Sequence, residues 1–150
     1  MEICADDYLR GLAFHEAGHA VVAWSLNLRV ETIYIREIGA GNSGTKTDKP
    51  DHLPLTDQLA TLAAGVEAER EFKSPLPETA GDRDRLMAII LIRAHHEGLV
   101  SDEIQSHLAA GRARARGLLV EHRERVIRVA EHLRDVRQVH ADEFTRLMTA

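Results

Sequence analysis

The chain has 150 residues, 44% apolar and 29% charged, with a net charge of −5 and one cysteine, Cys4. A single domain over residues 1–150 that buries a real core is the expected organisation. The acidic balance gives no global attraction for nucleic acid or an anionic membrane, and one cysteine excludes an internal disulfide and a thiolate metal cluster. The lone cysteine fits a reducing compartment, so a cytoplasmic protein is expected, and with no apolar run of membrane-spanning length neither nucleic acid nor membrane is expected as partner.

The first predicted element is a helix over about Tyr8 to Asn27, with Asp6 or Asp7 as N-cap and Leu12, Phe14, Ala20, Val21, Val22 and Leu26 as its apolar positions. It carries His15-Glu16-Ala17-Gly18-His19. Imidazoles four residues apart share a helix face, and the carboxylate beside the first reaches the same region. That spacing suits Zn²⁺, with Glu16 as general base towards a water made acidic by the ion. Peptide hydrolysis is the implied chemistry. The bland alternative is a pair of core histidines satisfied by hydrogen bonds, and Trp24 reads as core packing.

Val30 to Ile35 reads as a strand. If it lies at a sheet edge beside the motif helix, a peptide could add to it, with Gly44 and Thr45 on the cleft rim. Gly39, Gly41, Asn42, Ser43 and Gly44, then Thr45 to Pro54, predict an extended or mobile loop. Thr56 is the expected cap of a helix to about Phe72, with Leu59, Leu62, Ala63, Val66 and Ala68 on its buried side and Gly65 allowing close helix contact. After Ser74 to Pro77, a third helix is predicted from about Gly81 to Gly98, its apolar residues being Leu86, Met87, Ile89, Ile90 and Ile92.

A short helix from Ser101 or Asp102 is expected to precede a long amphipathic one over about Arg112 to Val136, burying Leu118, Leu119, Val126, Val129, Ala130 and Leu133. The pairs Glu121/Arg125 and Glu124/Arg128 have helical i,i+4 spacing, and Arg112, Arg114 and Arg116 read as a solvated face. Ala141 to Met148 is the last predicted helix. The fold class is therefore α+β, mainly α: a helical zinc metallopeptidase-type domain with one small β-sheet.

Two histidines need a third ligand. The three-histidine form of the motif is absent, because Val22 and Ser25 stand where it needs Gly and His. Glu67, Glu69, Asp82 and Asp84 remain, and spacing alone does not choose among them. Asp82 is equally an N-cap, Asp84 a favourable first-turn charge, and Glu69 either a partner of a ligating imidazole or an exposed helix charge.

The stretch Leu12 to Ala20 resembles the start of the peptidase domain of the FtsH family of ATP-dependent zinc metalloproteases. Ala64-Gly65-Val66-Glu67-Ala68-Glu69 is similar to that family's G-x-x-A-E segment, and Thr79 to Ala88 to its T-G-A-x-N-D-L-x-x-A segment, despite Arg83 for Asn and Arg85 for an apolar residue. The order of apolar and charged positions over Ala113 to Met148 is also similar to its closing helices. The resemblance implies His15, His19 and Asp84 as zinc ligands, with Asp82 as fallback, and Glu16 as the catalytic base. It further implies a peptide or protein substrate, a homo-oligomer, and a separate ATPase partner, since this sequence holds no G-x-x-x-x-G-K-[ST] loop. The alternative is a catalytically silent metal-binding module for regulation or interaction.

Overall fold

The structure, a computed structural model, describes residues 4–36 and 43–150. Among the described residues, six helices and three short strands follow in the order α1 (Ala5–Ser25), β1 (Val30–Tyr34), β2 (Gly44–Thr47), α2 (Leu55–Glu71), a 3-10 turn (Glu78–Gly81), α3 (Asp82–His95), α4 (Ser101–Glu121), α5 (Arg123–Val136), β3 (Gln138–His140) and α6 (Ala141–Thr149). A mainly helical chain with one small antiparallel sheet is the observed class. No described helix is long and apolar enough to cross a membrane.

Helix α1 is the axis of the core. Twelve of its residues are buried, from Gly11 to Ala23, because α2, α5 and the sheet pack around it. The approach of α2 is close at Gly18, where a Cβ would lie 2.5 Å from the Ala68 Cβ and 2.7 Å from the Ala64 carbonyl. Small residues on both helices, Ala60, Ala64 and Ala68 on α2, make that spacing possible. Leu118, Leu119, Val126, Val129, Ala130 and Leu133 are all buried, as their periodicity predicts. Trp24 is half-buried, edge-on to His122 and beneath the Arg125 guanidinium.

The sheet order is β2-β1-β3, both pairings antiparallel, so β1 is central rather than an edge. Ile33 pairs with Thr45 on one side and Val139 on the other, and the buried Ile33 places that face towards α1. Gly39, Gly41 and Asn42 of the expected loop lie outside the described residues. Its continuation is partly strand: Thr45 and Thr47 belong to β2, where β-branched side chains suit the ladder and pairing with β1 outweighs the glycine- and proline-rich surroundings. Strand β3 follows Arg137, whose φ of 68° ends α5, and the Ile35 N–H donates to the Arg137 carbonyl at 2.9 Å.

Several boundaries and faces differ from expectation. Gly111 does not divide two helices; α4 runs through it, and the missing side chain admits Leu59, whose Cβ would be 2.6 Å from an added methyl. The break falls at His122, which puts Glu121 and Arg125 on different helices. Arg125 and Arg128 instead donate to the carbonyls of Met148 and Leu147, at 2.9 and 2.6 Å, at the end of α6 where the helix leaves carbonyls unpaired. No expected side-chain cap forms: Cys4, Pro54 and Gly81 precede α1, α2 and α3, while Asp6, Asp7, Thr56 and Asp82 lie inside first turns. On α3 only Ala88 and Ile92 are buried, and Leu86, Met87 and Ile90 face outward. Leu62, Ala63 and Val66 of α2 are half-buried because they line a cavity.

Candidate metal centre

Both motif histidines project from α1 towards α2. His15 Nδ1 donates to Glu69 Oε2 at 2.7 Å, and His19 Nδ1 donates to the Thr61 carbonyl at 2.8 Å. A carboxylate and a carbonyl only accept, so each ring carries a proton on Nδ1 and turns Nε2 towards the other. The two Nε2 atoms are 3.2 Å apart. Asp84 Oδ2, from the first turn of α3, lies 3.2 Å from His19 Nε2 and 3.7 Å from His15 Nε2.

This triangle fits a metal. An ion about 2.0–2.1 Å from tetrahedral ligands separates them by about 3.3 Å, and the three observed edges bracket that value. Among the described residues, His15, His19 and Asp84 form the one group of three or more such side chains that could hold an ion. Two nitrogens and a carboxylate oxygen match the donor set of a hydrolytic site.

Three glycines make the geometry possible. At Gly65 an added Cβ would lie 2.3 Å from His15 Nε2, so the absence of a side chain there is the space the ring occupies. Gly18 brings α2 close to α1. Gly81 sits against Val66, where a Cβ would be 2.5 Å from Cγ2, and this close pass delivers the start of α3, hence Asp84, to the histidines.

Electrostatics in the metal-free site follow from burial and partners. Burial disfavours a charged His15, but hydrogen bonds to Asp84 and Glu69 and the nearby Glu16 carboxylate outweigh it and push its pKa up to about 10. Burial likewise opposes ionisation of Asp84, yet its hydrogen bonds to His15 and His19 and their charge hold it well below the usual carboxylate range. The acid is thus held as a carboxylate, ready to bind a cation.

Glu16 is buried beside this cluster, and the Thr45 hydroxyl of β2 lies 2.9 Å from its Oε1 and 3.1 Å from its backbone carbonyl. Glu69 is buried too, accepting the Leu76 N–H at 2.7 Å on its other oxygen, which ties the segment before α3 to the His15 ring. Asp82 is exposed and outside the cluster; two residues before Asp84 on the same helix, its side chain leaves α3 about 200° away from that of Asp84. Glu67 is buried but held by Arg70 and Arg116 at 3.0 and 3.4 Å. Thr45 was legible only as a rim residue, because its contact with Glu16 depends on a strand pairing that its local sequence obscures. Of the other histidines, His132 pairs with Glu143 and His96 stacks on His107.

No family model and no curated protein matches this chain. The functional reading therefore rests on the residues and their arrangement.

Proposed function

We propose that the chain is a zinc-dependent peptidase in which His15, His19 and Asp84 hold the ion and Glu16 moves protons. The observation that carries this reading is the convergence of two imidazole Nε2 atoms and one carboxylate within metal-ligand spacing, next to a buried carboxylate that takes no part in the triangle. When bound, zinc supplies Lewis acidity that polarises a carbonyl and makes water nucleophilic near neutral pH. Glu16 removes a proton from the attacking water and returns it to the departing amine as the C–N bond breaks, leaving a carboxylate and an amine. Thr45 holds that carboxylate in place. Glu69 and the Thr61 carbonyl hold the rings so that Nε2 faces the ion.

A substrate in extended form suits this frame. The strand next to Glu16 is β2, an edge strand among the described residues, so backbone pairing with a peptide falls to β2 and not to the central β1. Such a cleft takes flexible segments, and a folded substrate needs a separate ATPase partner to unfold it.

Metal analysis of the purified protein and a peptide-library digest test this reading. One equivalent of zinc, chelator-sensitive cleavage and loss of cleavage in a Glu16→Gln protein that still holds zinc are expected. Cleavage by metal-loaded Glu16→Gln at the native rate would overturn the role of Glu16, and zinc binding without cleavage of any peptide would favour the interaction module.

A further inference from the structure

We infer that the cavity between α2, α3 and α4 is the selectivity pocket of this site, taking a leucine- to phenylalanine-sized side chain next to the scissile bond, with an acidic residue following. The inference rests on the peptidase reading for its reaction and on the cavity itself for its preference.

The cavity measures about 200 Å³, and Asp84 lies in its wall, so the space begins at a metal ligand. Its surface is apolar where the helices meet, with Leu62, Ala63 and Val66 from α2, Ala88 from α3 and Leu108 from α4. Such a lining gains by removing an apolar side chain from water and loses by desolvating a charged one. The half-buried state of Leu62, Ala63 and Val66 is the counterpart of this opening: three apolar positions of a core helix face a space that the chain itself does not fill.

Charge at the rim sets the second preference. Glu67 contributes no free charge, because Arg70 and Arg116 both pair with it. Arg85 and Arg112 also line the cavity and make no ion pair among the described residues. With Asp84 committed to the ion, exposed Asp82 is the one acid left to offset them, and the rim favours a carboxylate on the peptide over an ammonium. Arg85 stands where the resembling family has an apolar residue, so this preference belongs to the chain's own residues.

The test uses fluorescein-labelled, C-terminally amidated hexapeptides that vary one residue through Ala, Leu, Phe, Asp and Lys and the next through Glu and Lys. Binding to zinc-loaded Glu16→Gln protein is read by fluorescence polarisation, and the same peptides are digested with the zinc-loaded wild type. Leu and Phe are expected to bind about tenfold or more tightly than Ala, Asp or Lys. Glu following is expected to bind better than Lys by severalfold, and Arg112→Glu, a change outside the core, reverses that order. Ala63→Leu narrows the space and lowers the Phe-to-Ala ratio, and Leu108→Ala raises it. Equal binding of all five residues, no binding of any, or a Glu-to-Lys ratio unmoved in Arg112→Glu would overturn the corresponding part of the inference. The predicted binding order without wild-type cleavage would leave the pocket standing and sink the peptidase reading.

Discussion

Gly65→Ala is the substitution that most directly probes how the site is built. The new Cβ would lie 2.3 Å from His15 Nε2, 2.5 Å from Cε1 and 2.6 Å from Cδ2. Ordinary contact needs about 3.4 Å or more, so the ring must retreat by about 1 Å. His15 has no free path for that retreat, being 6% exposed and tied at Nδ1 to Glu69. Overpacking of this kind costs about 1–3 kcal/mol, while replacing a helix-interior glycine by alanine returns about 1 kcal/mol, so net stability falls by no more than about 2 kcal/mol. The metal feels far more. Ligand positions tolerate about 0.2 Å, and a 1 Å displacement removes His15 from the set. Zinc affinity is expected to fall at least about a hundredfold, some 2.7 kcal/mol, with the metal-free melting temperature lower by a few degrees only. Competition with a chromogenic chelator, alongside thermal melts of the metal-free protein, measures both. Wild-type zinc affinity in a folded Gly65→Ala protein would refute the argument that this glycine is the space for a ligating ring.

Glu69→Ala frees the His15 ring and the Leu76 N–H together, and zinc affinity in the same chelator competition is expected to drop about 10–100-fold. Thr45→Val keeps the β-branched shape on β2 but removes the hydroxyl from Glu16; kcat is expected to fall about tenfold with zinc content unchanged, and Thr45→Ser to restore it. The metal-free protein keeps the full benefit of a charged His15 below pH 6.5, the ordinary histidine value, and loses it as pH rises through about 10. Zinc must displace that proton, so binding at pH 7 releases it, and apparent affinity climbs about tenfold per pH unit between these limits. Calorimetry in buffers of different ionisation enthalpy reads the proton directly, and a pH-independent affinity over that range would contradict a charged His15.

Much of this molecule was legible along the chain because the relevant information is local. The helical period around His15 and His19, the β-branched run at Val30 to Ile35 and the apolar stripe from Leu118 to Leu133 each express a preference that nearest neighbours enforce. The pentapeptide also sets two imidazoles on one face of any helix it forms. Contacts between distant segments were not legible in that way. Asp82 and Asp84 both open a helix, and choosing between them from the residues alone requires knowing how α3 meets α2, a matter decided by the pass of Gly81 over Val66. Glu69 is an ordinary helix glutamate until α1 sets His15 against it. Thr45 sits in a stretch whose glycines and prolines read as loop, and becomes a partner of Glu16 only through pairing with β1. Likewise β1 looks the same as an edge or a centre until β3, a strand of three residues from a distant part of the chain, closes its second side. Period and spacing arise from the backbone's own geometry, whereas the ligand triangle, its supporting hydrogen bonds and the cavity beside it exist only where helices far apart in sequence come within a few ångströms.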